Sequence, residues 1–373
     1  MTLKLLFWIS AALLAYAYAG YPLWLWLRMH WALRPVKQAP ILPTVSVIMA
    51  VHNEAGALPA KLTNLTTLNY PPECYEVIVV SDGSTDTTNQ ILASYTNDKL
   101  RTVNCAEHRG KAAALNAAIA VAQGEIVVFT DARQSVECDA IRKLVRNFAD
   151  PGVGCVSGNL NLGEPGTSTG KGLGLYWRIE KSIRQAEAAT GSMVGTTGAL
   201  YATRRNLLTA IPEGTLLDDV YIPMNVVRQG KRAVFETEAI AWDELDKQST
   251  REFQRKIRTL VGNYQLVRLA PWLITKRNPI LFEFVSHKVL RLFGPLMLLG
   301  MFLSSLLLPG SFYKSAMVLQ AVFYLTALVA LMRSRPALLG RVSDAAFTFV
   351  MLNTAALVAL LYFVTGKKEV WTR

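Results

Sequence analysis

Cysteine is scarce in this chain of 373 residues: there are four, Cys74, Cys105, Cys138 and Cys155, with no paired spacing. A disulfide framework and a cysteine metal site are not expected, and the thiols read as reduced packing residues. Histidine also numbers four. His52 and His108 begin loops without metal-ligand spacing, so hydrogen bonding is their expected role. No P-loop pattern is present, and neither is an internal repeat or a low-complexity tract. Acidic residues are outnumbered, 27 against 39 basic ones, which leaves a net charge of +12. The basic residues are not interleaved with aromatics on a binding helix, so nucleic acid is not an expected partner. Anchoring at a membrane face and attraction to anionic lipid account for the excess.

What the chain has in plenty is apolar residues, 51% of the total and unevenly placed. From Leu3 to Leu27 only Lys4 is charged, enough to cross about 30 Å of hydrocarbon. Further spans are predicted at about Val289 to Leu308, Phe312 to Met332 and Ala345 to Val364. Ala15 to Ala19 resembles a signal-peptide cleavage site, but the apolar run continues through Trp26, which favours a span. Arg28, His30, Arg34 and Lys37 follow the first span, Lys288 and Arg291 border the second, and Arg333, Arg335 and Arg341 separate the last two. These mark a cytoplasmic face, with Lys367 and Lys368 as the exceptions. The domain between the spans is therefore expected in the cytoplasm of a bacterial-type inner or plasma membrane protein, next to the lipid bilayer.

Within that domain, Val45 to Val51 and Val77 to Ser81 are short β-branched runs, each ending in an acid-bearing turn, and between them Leu58, Leu62, Leu65 and Leu68 keep helical spacing. This is a βαβ unit with buried parallel strands. Ligands of open α/β sheets bind outside the C-terminal strand ends, so Glu54 and Asp82 are expected to face one ligand. Helix is predicted at about 85–96 and 112–122, and strand near 100–105 and over Glu125 to Asp131, where a third acid ends a strand. After Asp131 the rhythm changes. A helix at about 139–149 is followed by Gly152 to Gly174, read as a flexible loop, then by a helical stretch around Tyr176 to Glu180. A strand at about 232–241 and a helix over Glu252 to Leu269 complete the domain.

Acids at strand ends suit ribose hydroxyls, base edges or a cation. Asp131 suits Mg²⁺ or Mn²⁺ bridging two phosphates, since such ions often take only one or two protein carboxylates. Arg109 and Lys111, on a loop entering a helix, suit an anion. Asp219, beside Asp218, suits a general base, and Arg255, Lys256 and Arg258 suit a diphosphate leaving group. Quieter explanations exist: Asp82-Gly83 is a good turn, Asp218-Asp219 a helix cap, and the 255–258 cluster a solvated or lipid-facing surface. The order and joint occurrence of the acids favour transfer of a group from an activated nucleotide diphosphate to a hydroxyl.

His52-Asn53-Glu54, Asp82 to Asp86, Gly110 to Asn116 and Asp218-Asp219 stand in an order that resembles the membrane-bound family 2 glycosyltransferases of the GT-A fold, which include cellulose, hyaluronan and chito-oligosaccharide synthases. The likeness runs from about Val45 to Asn263. It implies a Rossmann-like, mainly parallel α/β sheet plus transmembrane helices. Residues 1–27 would form the first span, 28–43 a linker, 44–270 the GT-A domain, 271–288 an interfacial segment and 289–366 three spans. It further implies that Glu54, Asp82 and Lys111 contact the nucleotide, usually uridine diphosphate, with Arg109, Asn116 and Asp218 among the substrate-binding residues. Asp131 would bind metal, Asp219 would be the base of an inverting displacement, and Gln254 or Arg255 with Arg258 would grip the diphosphate. The acceptor is expected to be a growing polysaccharide or a membrane lipid. Two departures stand out: Asp131-Ala132-Arg133 lacks the second acid of the metal motif, and Thr259 replaces the tryptophan of the last motif, which puts processivity in question. Four spans line a narrow path only with help from the surface segment or from a second copy in a homo-oligomer.

Overall fold

The computed structural model describes residues 2–163, 173–243, 249–332 and 337–366. Arg333, Arg335, Lys367 and Lys368, used above for orientation, lie outside these residues, as does part of the glycine-rich stretch.

Among the described residues, eight strands form one sheet in the order β3-β2-β1-β4-β7-β6-β8-β5. They are β1 (Val45–Val51), β2 (Tyr75–Asp82), β3 (Leu100–Cys105), β4 (Ile126–Thr130), β5 (Ser135–Val136), β6 (Val153–Leu162), β7 (Leu200–Arg204) and β8 (Arg232–Asp243). The first four are mutually parallel, and β7 runs antiparallel to β4. Val47, Ile48, Val77, Ile78, Val127 and Val128 are at most 1% exposed. Each such side chain stabilises the fold by about 1.5–3 kcal/mol relative to an exposed one. Helices Leu58–Thr66 and Lys111–Val121 provide crossovers between parallel strands. The parallel half therefore arises as the alternating sequence pattern predicts.

Gly152 to Gly174 is not simply a loop. Its first part is β6, ten residues lying between β7 and β8 at the heart of the sheet. The glycines there mark crowding rather than flexibility: a Cβ on Gly154 would stand 2.5 Å from Val226 Cγ1, and one on Gly158 2.8 Å from the Ala239 carbonyl.

Among the described residues, three helices are long and apolar enough to cross a bilayer: Thr2–Arg28, Ser311–Val329 and Leu339–Thr365. They expose large apolar side chains, with Leu319 71% and Val364 74% exposed. The expected span starting at Val289 is drawn differently. Residues 289–292 belong to a junction helix, Leu281–Leu292, which meets Gly294–Leu307 at a bend of 57°. Pro295 in the first turn of the second helix accounts for the break, because proline starts a helix readily but cannot continue one.

Candidate active site

The turns after β1 and β2 are laced together. Asn53 has φ of 55°, a left-handed conformation that asparagine tolerates better than most residues. Its Oδ1 accepts the backbone N–H groups of Thr85 at 2.8 Å and Asp86 at 3.2 Å. In return Glu54 N donates to Thr88 Oγ1 at 3.0 Å and Ala55 N to Asp86 Oδ2 at 3.2 Å. Glu54 is thereby fixed at the rim of the cleft. Burial raises its carboxyl above the ordinary value, with Arg133 opposing.

Asp82 is 2% exposed. It accepts the N–H groups of Arg109 at 2.9 Å and Gly110 at 2.8 Å, and its Oδ2 lies 2.8 Å from His108 Nδ1. Gly83 allows this approach, since its φ is 60° and a Cβ would stand 2.4 Å from His108 N. Asp82 thus shapes the loop that delivers Lys111. The His52 and His108 rings stack at 3.9 Å beside it.

Lys111 opens its helix directly after that loop. Its Nζ lies 2.8 Å from Asp131 Oδ1 and 3.2 Å from Asp218 Oδ1. Burial alone would lower the ammonium's pKa, but Asp131 and Asp218 hold it above the ordinary value. The second oxygen of Asp218 receives the Tyr201 hydroxyl at 3.4 Å, and the Tyr201 ring stacks on Phe129 of β4 at 4.4 Å. Asp218 is buried with both oxygens engaged, so it holds Lys111 in place.

Asp219 differs from its neighbour: among the described residues its carboxylate accepts no hydrogen bond. Its backbone, by contrast, is pinned. Four residues on stands Pro223, inside the helix Asp218–Arg228. Proline has no N–H to give the carbonyl four residues back, and Thr196 takes that acceptor with its N–H at 2.8 Å and its hydroxyl at 2.9 Å. Burial, reinforced by the Asp218 charge, pushes the Asp219 carboxyl up to about 6. Register brings the acids together. Thr130 pairs with Leu200, so Gly198 sits beside the end of β4. A Cβ on Gly198 would meet Asp131 Oδ2 at 3.4 Å and Asp219 Oδ2 at 3.6 Å. The two carboxylates face one gap.

Cations surround it. Burial pulls the Arg258 guanidinium down from its ordinary value, while the nearby charges of Asp218 and Asp131 oppose that. Arg133 lies close enough to act on both Glu54 and Arg258. No group of three or more histidines, cysteines or acids suited to a metal occurs among the described residues. Asp131 nevertheless keeps Oδ2 clear of Lys111 and turned to the gap, which fits an ion taking one protein carboxylate and the rest of its ligands from phosphate and water.

Asp82, Lys111, Asp131, Asp218, Asp219 and Arg258 are therefore brought together. Arg109 is turned to the exposed side chain of Glu213, with which it forms an ion pair. Asn116, expected at the substrate, uses its amide on Ile211, donating to the carbonyl at 2.8 Å and accepting the N–H at 2.9 Å. Gln254 is exposed and Arg255 half-buried on the helix Ser249–Leu269. Sequence reasoning missed Lys61. It is 3% exposed and donates to Thr130 Oγ1 at 2.9 Å and Gln134 O at 2.6 Å, buttressing the Asp131 turn from below. Burial pushes its pKa down to about 7. A lysine amid leucines at helical spacing gives no signal beyond its oddity. The Pro223 gap was a usable signal for Thr196.

Paired acids and a bridging lysine thus gather at the C-terminal ends of the parallel strands of a Rossmann-like, GT-A-type sheet. Residues 46–211, a little under half of the chain, match the sequence model of "Glycosyl transferase family 2", and this stretch is similar to that family. Among its relatives is a poly-β-1,6-N-acetyl-D-glucosamine synthase of Staphylococcus aureus, 24% identical over 232 residues, covering 61% of this chain and 56% of the relative. The synthase of the same name from Staphylococcus epidermidis is 23% identical over 242 residues, covering 63% and 58%. The chain spans a little over half the length of these curated relatives. A mannosyltransferase from Pyrobaculum calidifontis, solved with GDP-Man and Mn²⁺, is 26% identical, with a TM-score of 0.73 over 97% of this chain and 99% of that one.

Proposed function

We propose that the chain transfers a sugar from a nucleotide-diphosphate sugar, by inversion, to a hydroxyl of a growing polysaccharide. The observation that carries this is the unengaged Asp219 carboxylate, facing Asp131 across Gly198 with its pKa raised towards neutrality. In the reaction Asp219 takes the proton of the acceptor hydroxyl as that oxygen bonds to the anomeric carbon. The bond from that carbon to the diphosphate oxygen breaks on the opposite face, and the electron pair leaves with the nucleotide. Lys111 and Arg258 offset the developing diphosphate charge. Asp131 Oδ2 would hold Mg²⁺ or Mn²⁺, which when bound supplies further neutralisation of the leaving group. Glu54 and Asp82 would contact the nucleotide, since ligands of open α/β sheets bind outside the C-terminal strand ends. Arg109, Asn116, Asp218, Gln254 and Arg255 would act around them, Asn116 and Asp218 chiefly by holding the loops.

The donor is read as a UDP-sugar, and the domain as cytoplasmic against the bilayer. The solved mannosyltransferase with its GDP-Man makes the base an open variable of the test. A second reading, a membrane-lipid acceptor used once, is favoured by Thr259. It stands where a tryptophan would form an acceptor platform, and its hydroxyl turns back to Arg255 O at 3.0 Å.

The experiment is incubation of the membrane-embedded protein with a panel of labelled UDP- and GDP-sugars, followed by product sizing. Label in long chains supports the polymer, and label in a single-sugar lipid supports the second reading. In Asp219→Asn, transfer should fall about 10²–10⁴-fold with nucleotide binding retained. Undiminished transfer in that variant would remove Asp219 as the base.

A further inference from the structure

His287 on the junction helix is 2% exposed, and each of its ring nitrogens faces a carboxylate. Nδ1 lies 2.8 Å from Glu187 Oε1 and Nε2 3.0 Å from Glu180 Oε1. A neutral imidazole has one N–H and one lone pair. It could satisfy one of these contacts and would set lone pair against lone pair at the other.

Both acids are placed to be acceptors. Glu187 receives the Tyr21 hydroxyl at 2.6 Å on Oε1 and the Val194 N–H at 3.3 Å on Oε2. Glu180 faces Arg184 Nε at 3.3 Å and Arg291 Nη1 at 2.9 Å. Burial alone would raise the Glu180 carboxyl, but His287, then Arg184 and Lys288, hold it well below the ordinary range. With an acceptor oxygen of one acid against each ring nitrogen, every contact is satisfied only when the ring carries both protons.

Two lines of contacts leave this hub. Outward, Tyr21 belongs to the apolar helix Thr2–Arg28. That helix is tied to the junction helix again by Tyr16 Oη to Ser286 Oγ at 2.8 Å and Arg28 Nη1 to Glu283 Oε1 at 2.5 Å. Inward, Arg184 Nη1 donates to the Thr196 carbonyl at 3.4 Å. Thr196 in turn takes the Asp219 carbonyl that Pro223 leaves unbonded. The hub thus joins the apolar helices to the backbone of the proposed base.

We propose that His287 is a positioning residue, held as an imidazolium between Glu180 and Glu187, that seats the catalytic domain on its apolar helices and thereby fixes the Asp219 backbone through Arg184 and Thr196. It touches neither donor nor acceptor. The inference rests on the reading of Asp219 as the base.

The test uses the full chain in lipid nanodiscs and has two arms. In the first, ¹⁵N-histidine spectra at neutral pH are compared with those of His287→Gln. With only four histidines in the chain, the lost signal is assignable. Two protonated ring nitrogens are expected, and a single protonated nitrogen overturns the proposal. This arm reads out even if no donor sugar is ever turned over, so it separates failure of the inference from failure of the glycosyltransferase reading.

In the second arm, turnover is divided by the number of nucleotide-binding sites, counted by titration with the donor nucleotide, so that unfolded protein is not scored. Glutamine meets one acid with its N–H groups and sets its carbonyl against the other. For His287→Gln, turnover per site should fall about 10- to 100-fold, with donor KM within about twofold of the parent. The double variant Glu187→Gln with His287→Gln supplies an amide for that carbonyl and should recover most of the loss. Should the single variant not fold, the double variant is measured against Glu187→Gln alone. Turnover per site that is unchanged in His287→Gln, or equally depressed with and without the second substitution, overturns the positioning role.

Discussion

The Lys111 ammonium lies 2.8 Å from Asp131 Oδ1 and is the group through which the acid ending β4 is tied to the helix that carries the proposed base. In Lys111→Met, the buried Asp218 and the partly exposed Asp131 lose their shared cation. Solvent screening of the partly exposed Lys111 and Asp131 brings the cost below that of a buried pair, to about 1–2 kcal/mol. A lower melting temperature and weaker nucleotide binding are expected, read by a thermal melt and by equilibrium titration.

The Asp219 carboxyl, pushed up to about 6 by burial and then by Asp218, must be ionised to accept a proton. Turnover should therefore rise with pH through about 6 and flatten above it. Stability should move the other way. A carboxyl whose folded pKa is raised favours the folded state below its unfolded value of about 3.9, and that contribution is lost as pH climbs through the folded value. Rate profiles and thermal melts between pH 4 and 8, on the parent and Asp219→Asn, check both signs.

Asn116→Ala removes a donor and an acceptor from Ile211 together. Destabilisation of about 1–3 kcal/mol is expected from the unpaired backbone groups, while nucleotide affinity holds. A large loss of affinity at unchanged melting temperature would return Asn116 to the substrate.

Pro223→Ala restores an N–H that competes with Thr196 for the Asp219 carbonyl. Little change in stability is expected, but turnover should drop about threefold or more as the carboxylate swings from its setting. Single-turnover rates on the full chain measure this.

The parallel half of the sheet was legible because β1, β2 and β4 are continuous apolar runs, each closed by an acid. Their order then fixed Glu54, Asp82 and Asp131 at one edge. β6 was not, because glycine reads as flexibility in one dimension and as close packing in three. Gly154 and Gly158 are small because Val226 and the Ala239 carbonyl are near, and those partners lie scores of residues away. Asp218 and Asp219 were legible as a pair but not as opposites. Only the placement of Lys111 and Tyr201 shows which of them is engaged. Asn116 carried the sequence mark of a ligand contact and does its work on a loop, since an amide beside a site serves either purpose and sequence does not say which way it turns.

Tyr16 and Ser286 meet across 270 residues of chain. At synthesis rates of about 5–20 residues per second, the N-terminal helix waits roughly ten to fifty seconds after it is made before its partner exists. Through that interval Tyr16 lacks Ser286 and Arg28 lacks Glu283, although Tyr21 can already meet Glu187, 166 residues on, so the α/β domain folds against the first helix before the junction helix is in place. Maturation of the molecule is thus set by the last third of the chain to be made, however early the sheet forms.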